Sequence, residues 1–170
     1  AEAQPTGVRL RMETRATAME LVFSTTVAVF FTDEPVEWFG QVDVLVDGEL
    51  HSQVPVRTGA VRTMNVLTND STVNSADPVS VRFDGLPDRD KIVEIWLPHG
   101  VEVAVRSLEA NAPISPSRDT RPIWLHYGSS ISHGVNAQAP TGTWPAVAAA
   151  EAGANLTSLG FSGNAMLDHF

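Results

Sequence analysis

Apolar residues recur at every second position through much of the first hundred residues, the spacing of strands with one buried face. Val8-Arg-Leu-Arg-Met-Glu-Thr14 and Val79-Ser-Val-Arg-Phe83 show it most clearly, and Glu37 to Asp47 behaves similarly. Asp47-Gly48 separates Val42-Asp-Val-Leu-Val46 from Glu49-Leu-His51 and predicts a tight hairpin. Lys91-Ile-Val-Glu-Ile-Trp-Leu97 stops at Pro98-His99-Gly100 and an apolar alternation resumes over Val101–Val105, which predicts a second hairpin. The polar, turn-forming run Thr68–Pro78 reads as a long surface loop. Many short strands without helical periodicity predict a sandwich or jelly roll whose two sheets bury their inner faces against each other.

Past Pro122 the period changes. Ile123–Tyr127 reads as a short strand, and Thr143–Ala152 as a helix with Pro145 in its first turn and Gly153 at its C-cap. Asn155–Gly160 reads as a strand, Phe161–Asn164 as a turn, and Ala165–Phe170 as the opening of another helix. This βαβ order implies a parallel α/β sheet that needs helices on both faces. Ala112–Pro122, with three prolines and several charges, reads as the connection. The expectation is an α+β chain of two domains: a jelly-roll-like β-sandwich over 1–118 and the first βαβ part of a parallel three-layer α/β domain over 119–170. The 49 residues after Arg121 (170 − 121) carry too little apolar surface to close such a core. A second polypeptide or fragment carrying the remainder is therefore expected as a partner.

Composition narrows the function classes. A formal charge of −9, with Lys91 the only lysine, argues against nucleic acid, because neutralising phosphates takes clustered cations. No stretch approaches the ~18 unbroken apolar residues of a membrane helix. The absence of cysteine excludes disulfides, thiolate metal sites and cysteine nucleophiles. No secretory signal is visible at the start, so the expectation leans towards the cytoplasm. No metal or organic cofactor is implied.

The remaining chemistry centres on Gly128-Ser-Ser130. Ser130 follows a short strand among small residues, where its hydroxyl would project from the C-terminal edge of a parallel sheet. Gly-Ser-Ser is also a common turn sequence, and Gly-x-Ser-x-Gly does not fit, since position 132 is Ser. Tyr127-Gly-Ser-Ser-Ile-Ser-His-Gly134 nevertheless resembles the first block of the GDSL, or SGNH, hydrolases, and Leu159-Gly-Phe-Ser-Gly-Asn164 resembles their second. Gly163 lies thirty-three positions after Ser130 (163 − 130). The resemblance implies that Ser130 is the nucleophile and that the N–H groups of Ser130 and Gly163 donate to an oxyanion. Ser129 stands where the family has Asp, and its oxyanion Asn and late Asp-x-x-His pair have no counterpart in these residues. A sandwich ahead of such a domain is similar to a group of bacterial GDSL esterases and acyltransferases and to carbohydrate esterases with a jelly-roll module.

None of the histidines present is expected to be the base. Asp168-His169 reads as a local helix feature, His126 and His133 as structural or rim residues, and His99 as an ordinary loop residue. Trp38, Trp96, Trp124 and Trp144 read as core or interface residues. The resulting expectation is an ester hydrolase or acyltransferase acting through an acyl-enzyme at Ser130, with a small-molecule ester or acyl donor. The alternative is a carbohydrate- or ligand-binding sandwich with a docking fragment.

Overall fold

In the computed structural model, residues 4–30, 35–65, 67–68, 70–163 and 165–166 are described. The strands in chain order are β1 (Arg9–Thr14), β2 (Ala18–Phe30), β3 (Gln41–Val46), β4 (Glu49–Pro55), β5 (Ala60–Met64), β6 (Ser71–Val73), β7 (Val79–Asp84), β8 (Lys91–Trp96), β9 (Glu102–Ala110) and β10 (Ile114–Pro116). The first sheet has the order β10-β1-β8-β3-β4; the second runs β6-β5-β2-β7, with β9 also pairing with β2. Met12, Val42, Val44, Val93 and Ile95 of the first sheet meet Met19, Leu21, Phe23, Val81 and Phe83 of the second in a single buried cluster. That shared core makes the sheets a sandwich, as the alternation predicted.

The Asp47-Gly48 hairpin forms, with Val46 opposite Glu49. Both turn residues have positive φ, 51° and 88°, the geometry that suits a tight turn between twisted strands. The second predicted hairpin does not form. β8 pairs with β1 on one edge and β3 on the other, so β9 crosses to the opposite sheet and pairs with β2. Residues 97–101 form the crossover, and His99 and Val101 within it are each 1% exposed. The predicted loop and connection each contain a short strand as well: β6 pairs with β5, and β10 with β1.

Beyond the sandwich lie β11 (Ile123–Gly128), α1 (Ser130–His133), a 3-10 turn at Pro140–Gly142, α2 (Trp144–Glu151) and β12 (Asn155–Gly160). β11 and β12 pair in parallel from Ile123↔Asn155 to Gly128↔Gly160. α2 has Pro145 in its first turn, as the sequence predicted, but its C-cap is Ala152, and Gly153, predicted for that position, lies one residue further on with φ 60°. Its Ala146 and Ala149 pack with Leu156 of β12 and Trp96 of β8.

The strand pair and α2 therefore sit on the outer face of the first sheet. This explains the near-continuous burial along β3 and β8, which alternation alone does not predict. Polar groups on that face make specific contacts across the interface. Asp43, fully buried in β3, accepts the N–H and the hydroxyl of Thr141 at 3.1 and 2.6 Å. Arg9 of β1 donates to the carbonyl of Leu156 and the side chain of Asn155. Among the described residues no helix is long and apolar enough to cross a membrane. The helix predicted from Ala165 falls largely outside the described residues, as do Asp168 and His169.

Candidate active site

β11 and β12 end together at Gly128 and Gly160, and two turns leave from the same edge. The glycines make this possible. A Cβ on Gly128 would lie 2.7 Å from Ser132 Cβ, and one on Gly160 would lie 2.6 Å from the main-chain nitrogen of His133. Only bare backbone lets α1 rest across the strand ends.

α1 is a single turn. His133 N–H donates to Ser129 O at 2.8 Å, Gly134 N–H donates to Ser130 O at 3.0 Å, and Gly134 closes the turn with φ 73°. Ser130 is its first residue and is exposed at the C-terminal ends of the parallel strands, where open α/β folds place their sites. Among the described residues no histidine is hydrogen-bonded to its hydroxyl.

The second turn runs alongside. Phe161 N–H donates to Gly128 O at 2.8 Å, and Ser162 N–H donates to His133 Nδ1 at 3.3 Å. Gly163 follows, exposed, with φ 77°. A Cβ there would meet nothing within 4 Å, so within the chain the demand for glycine comes from backbone conformation and not from crowding. Ser130 and Gly163 thus sit on neighbouring turns at one edge. Asn164 lies outside the described residues.

The sandwich braces the loop that follows α1. Thr6 donates its hydroxyl to His133 O at 2.8 Å, and His99 Nε2–H donates to Ala137 O at 3.0 Å. The sequence alone predicts an ordinary loop residue at His99. It is instead an interior strut, and burial pushes its pKa down despite the main-chain bonds that favour its charged form. His133 is 1% exposed, and burial, with a smaller effect from His99, pushes its pKa from 6.5 to about 4. A pKa near 4 keeps His133 neutral at pH 7.

His126 lies against the rings of Trp124 and Trp144, with centroids 5.3 and 4.8 Å away. Trp144 donates its indole N–H to Ile131 O at 2.8 Å, which ties α2 to α1. A cleft of about 380 Å³ opens beside the serine loop, lined on the sandwich side by Trp38, Gln41 and Arg57 and on the loop side by Val135, Asn136 and Gln138. A larger cavity, about 850 Å³, is lined by sandwich residues around Glu13 and Lys91 and includes none from the serine segment.

A β-sandwich with two parallel strands seated on it gives a fold similar to that of SGNH-type, GDSL-like hydrolases and acyltransferases. Among solved structures the chain is similar to the salicylyl-acyltransferase SsfX3 from a tetracycline biosynthetic pathway. The identity is 34% and the TM-score 0.74, over 94% of this chain and 40% of that one. It also resembles a GDSL-like lipase from Bacteroides ovatus, with 19% identity and TM-score 0.65 over 98% of this chain and 46% of that one. For a family two carbohydrate esterase from Clostridium thermocellum, solved with cellohexaose, the values are 13% and 0.59 over 96% and 48%. The last two likenesses concern fold alone. In each case the chain spans less than half of the solved protein. No family model matches the chain, and no curated protein matches it.

Proposed function

We propose that this chain contributes the nucleophile and the oxyanion turn of a serine-dependent ester hydrolase or acyltransferase, with a sandwich unit over 1–118 and an α/β unit from 119 onward. Ser130 Oγ attacks the acyl carbonyl while its proton passes to a general base. The negative charge that develops on the carbonyl oxygen is met by the N–H groups of Ser130 and Gly163; such a donor contributes roughly 3 to 4 kcal/mol to transition-state stabilisation. The alcohol departs with a proton, leaving an acyl-serine. Water or an acceptor alcohol then attacks that ester, gives up its proton to the base and releases Ser130. The base is a histidine held by an aspartate, supplied from α/β residues that these 170 do not include, on the same polypeptide or on a second one.

One observation carries this reading: an exposed serine begins a one-turn helix whose last residue is hydrogen-bonded to the turn bearing Gly163. The alternative, a separable ligand-binding sandwich, sits less well with an interface that buries Asp43 against Thr141 and Trp96 against α2. Labelling the active protein at its full natural length with a fluorophosphonate, followed by peptide mapping, tests the proposal. The adduct is expected on the Ser130 peptide. Labelling elsewhere, or none in a sample that hydrolyses esters, contradicts it.

A further inference from the structure

His133 is bonded on several sides, and each bond leads to a different part of the molecule. Its N–H donates to Ser129 O within the serine turn, and its carbonyl accepts the Thr6 hydroxyl from the chain leading into β1. Its Nδ1 accepts Ser162 N–H from the second turn. The backbone of Gly160 passes so close to His133 N that no Cβ fits between them.

An amide N–H pointing at Nδ1 fixes that nitrogen as the unprotonated one, which puts the ring proton of neutral His133 on Nε2. Nε2 is buried and has no hydrogen-bond partner among the described residues. A group placed this way is poorly suited to proton transfer at the surface. It is well suited to hold a neighbour.

Resting on the acyl-transfer reading above, we infer that His133 is a positioning residue: through Nδ1 it fixes the Ser162–Gly163 turn against the helix that carries Ser130. Ser162 is the residue immediately before Gly163, so the bond constrains the direction of the following amide. A donor aimed at a developing oxyanion works only within a few tenths of an ångström of its mark. An imidazolium at this place would carry a proton on Nδ1 and repel the Ser162 N–H. Burial and the proximity of His99 disfavour that form, so the acceptor persists at neutral pH.

The test compares two substitutions in the protein at its full natural length. Asn in place of His133 sets a carbonyl oxygen near the position of Nδ1, whereas Leu keeps the bulk and removes the acceptor. With p-nitrophenyl acetate as substrate, His133→Leu is expected to lower kcat by about 10- to 100-fold with KM little changed, the scale of a slightly misplaced group. His133→Asn is expected to restore most of the loss. In the wild type, ¹⁵N spectra of labelled histidine are expected to show His133 protonated on Nε2 only, and this reading does not depend on any variant folding.

Wild-type kcat in His133→Leu, equal impairment in His133→Asn, or an Nδ1-protonated tautomer overturns the inference. A wild type that hydrolyses no ester and takes no fluorophosphonate at Ser130 defeats the acyl-transfer reading instead. In that event the tautomer, and faster exchange of the Ser162 amide in His133→Leu, still decide whether the tie exists.

Discussion

Gly160 and His133 show how much of the site depends on single atoms. Replacing Gly160 by Ala puts a methyl 2.6 Å from His133 N and 2.7 Å from Ser132 C, both main-chain atoms that cannot swing aside. We expect Gly160→Ala to destabilise the fold by about 1 to 3 kcal/mol, the usual cost of overpacking, and to displace α1. Thermal unfolding beside Gly142→Ala isolates the crowding, since neither glycine has positive φ and a Cβ at Gly142 meets nothing closer than Ala139 Cβ at 3.8 Å. Equal losses at the two positions contradict the crowding argument.

His133 also predicts an acid response. Its folded pKa of about 4 lies below the ordinary 6.5, so between those values the unfolded chain binds the proton and the folded chain does not. The stability this gives is full above pH 6.5 and is lost as pH falls towards 4. At about 1.4 kcal/mol per pH unit across that span it amounts to on the order of 3 kcal/mol. Denaturant midpoints between pH 7.5 and 4.5 are expected to fall less in His133→Asn than in the wild type, and parallel curves contradict this. The sequence offered Ser130 and Gly163 as candidates through two short motifs, and the proposed function rests on them. It did not expose His99 or His133 as struts, because a histidine's partner 29 or 38 residues away leaves no local pattern.

At the scale of elements, β8 carries most of the surprise. Its apolar run and the turn residues after it resemble one arm of a hairpin, yet both its edges are paired and both its faces covered. Local turn chemistry reports that the chain bends and is silent on which sheet it enters next. Asp47-Gly48 was legible because the whole hairpin lies within a few residues. Glu94 is the polar centre of β8. Its carboxylate is hydrogen-bonded to Arg11 and Trp96 and lies 3.4 Å from both Arg9 and Arg121. Its side chain is 4% exposed, so Glu94→Ala leaves buried guanidinium groups without their main counter-charge. We expect a loss of about 3 to 5 kcal/mol in denaturant unfolding. Arg121→Ala, which removes a side chain 38% exposed, is expected to cost less than Glu94→Ala. The reverse order contradicts the placement of Glu94 as the hub.

Across the whole molecule, the sandwich and the serine segment share an interface in place of a loose connection. Asp43 holds Thr141, Thr6 holds His133, His99 holds Ala137, and Trp96 joins the small core under α2. The composition shift near Ala112–Pro122 was visible in sequence, but this interface was not, since its polar contacts join residues 98 and 127 positions apart. The other side of the parallel pair presents Ile123 and Leu125, 74% and 61% exposed. The proposed acyl-transfer site is built from Ser130 and the Gly163 turn. It is tested most directly by acid-quenching the protein at its full natural length during turnover of an activated ester and mapping the trapped acyl group. That group is expected on the Ser130 peptide, with no turnover in Ser130→Ala. An acyl group on any other residue, or undiminished turnover in Ser130→Ala, would contradict it.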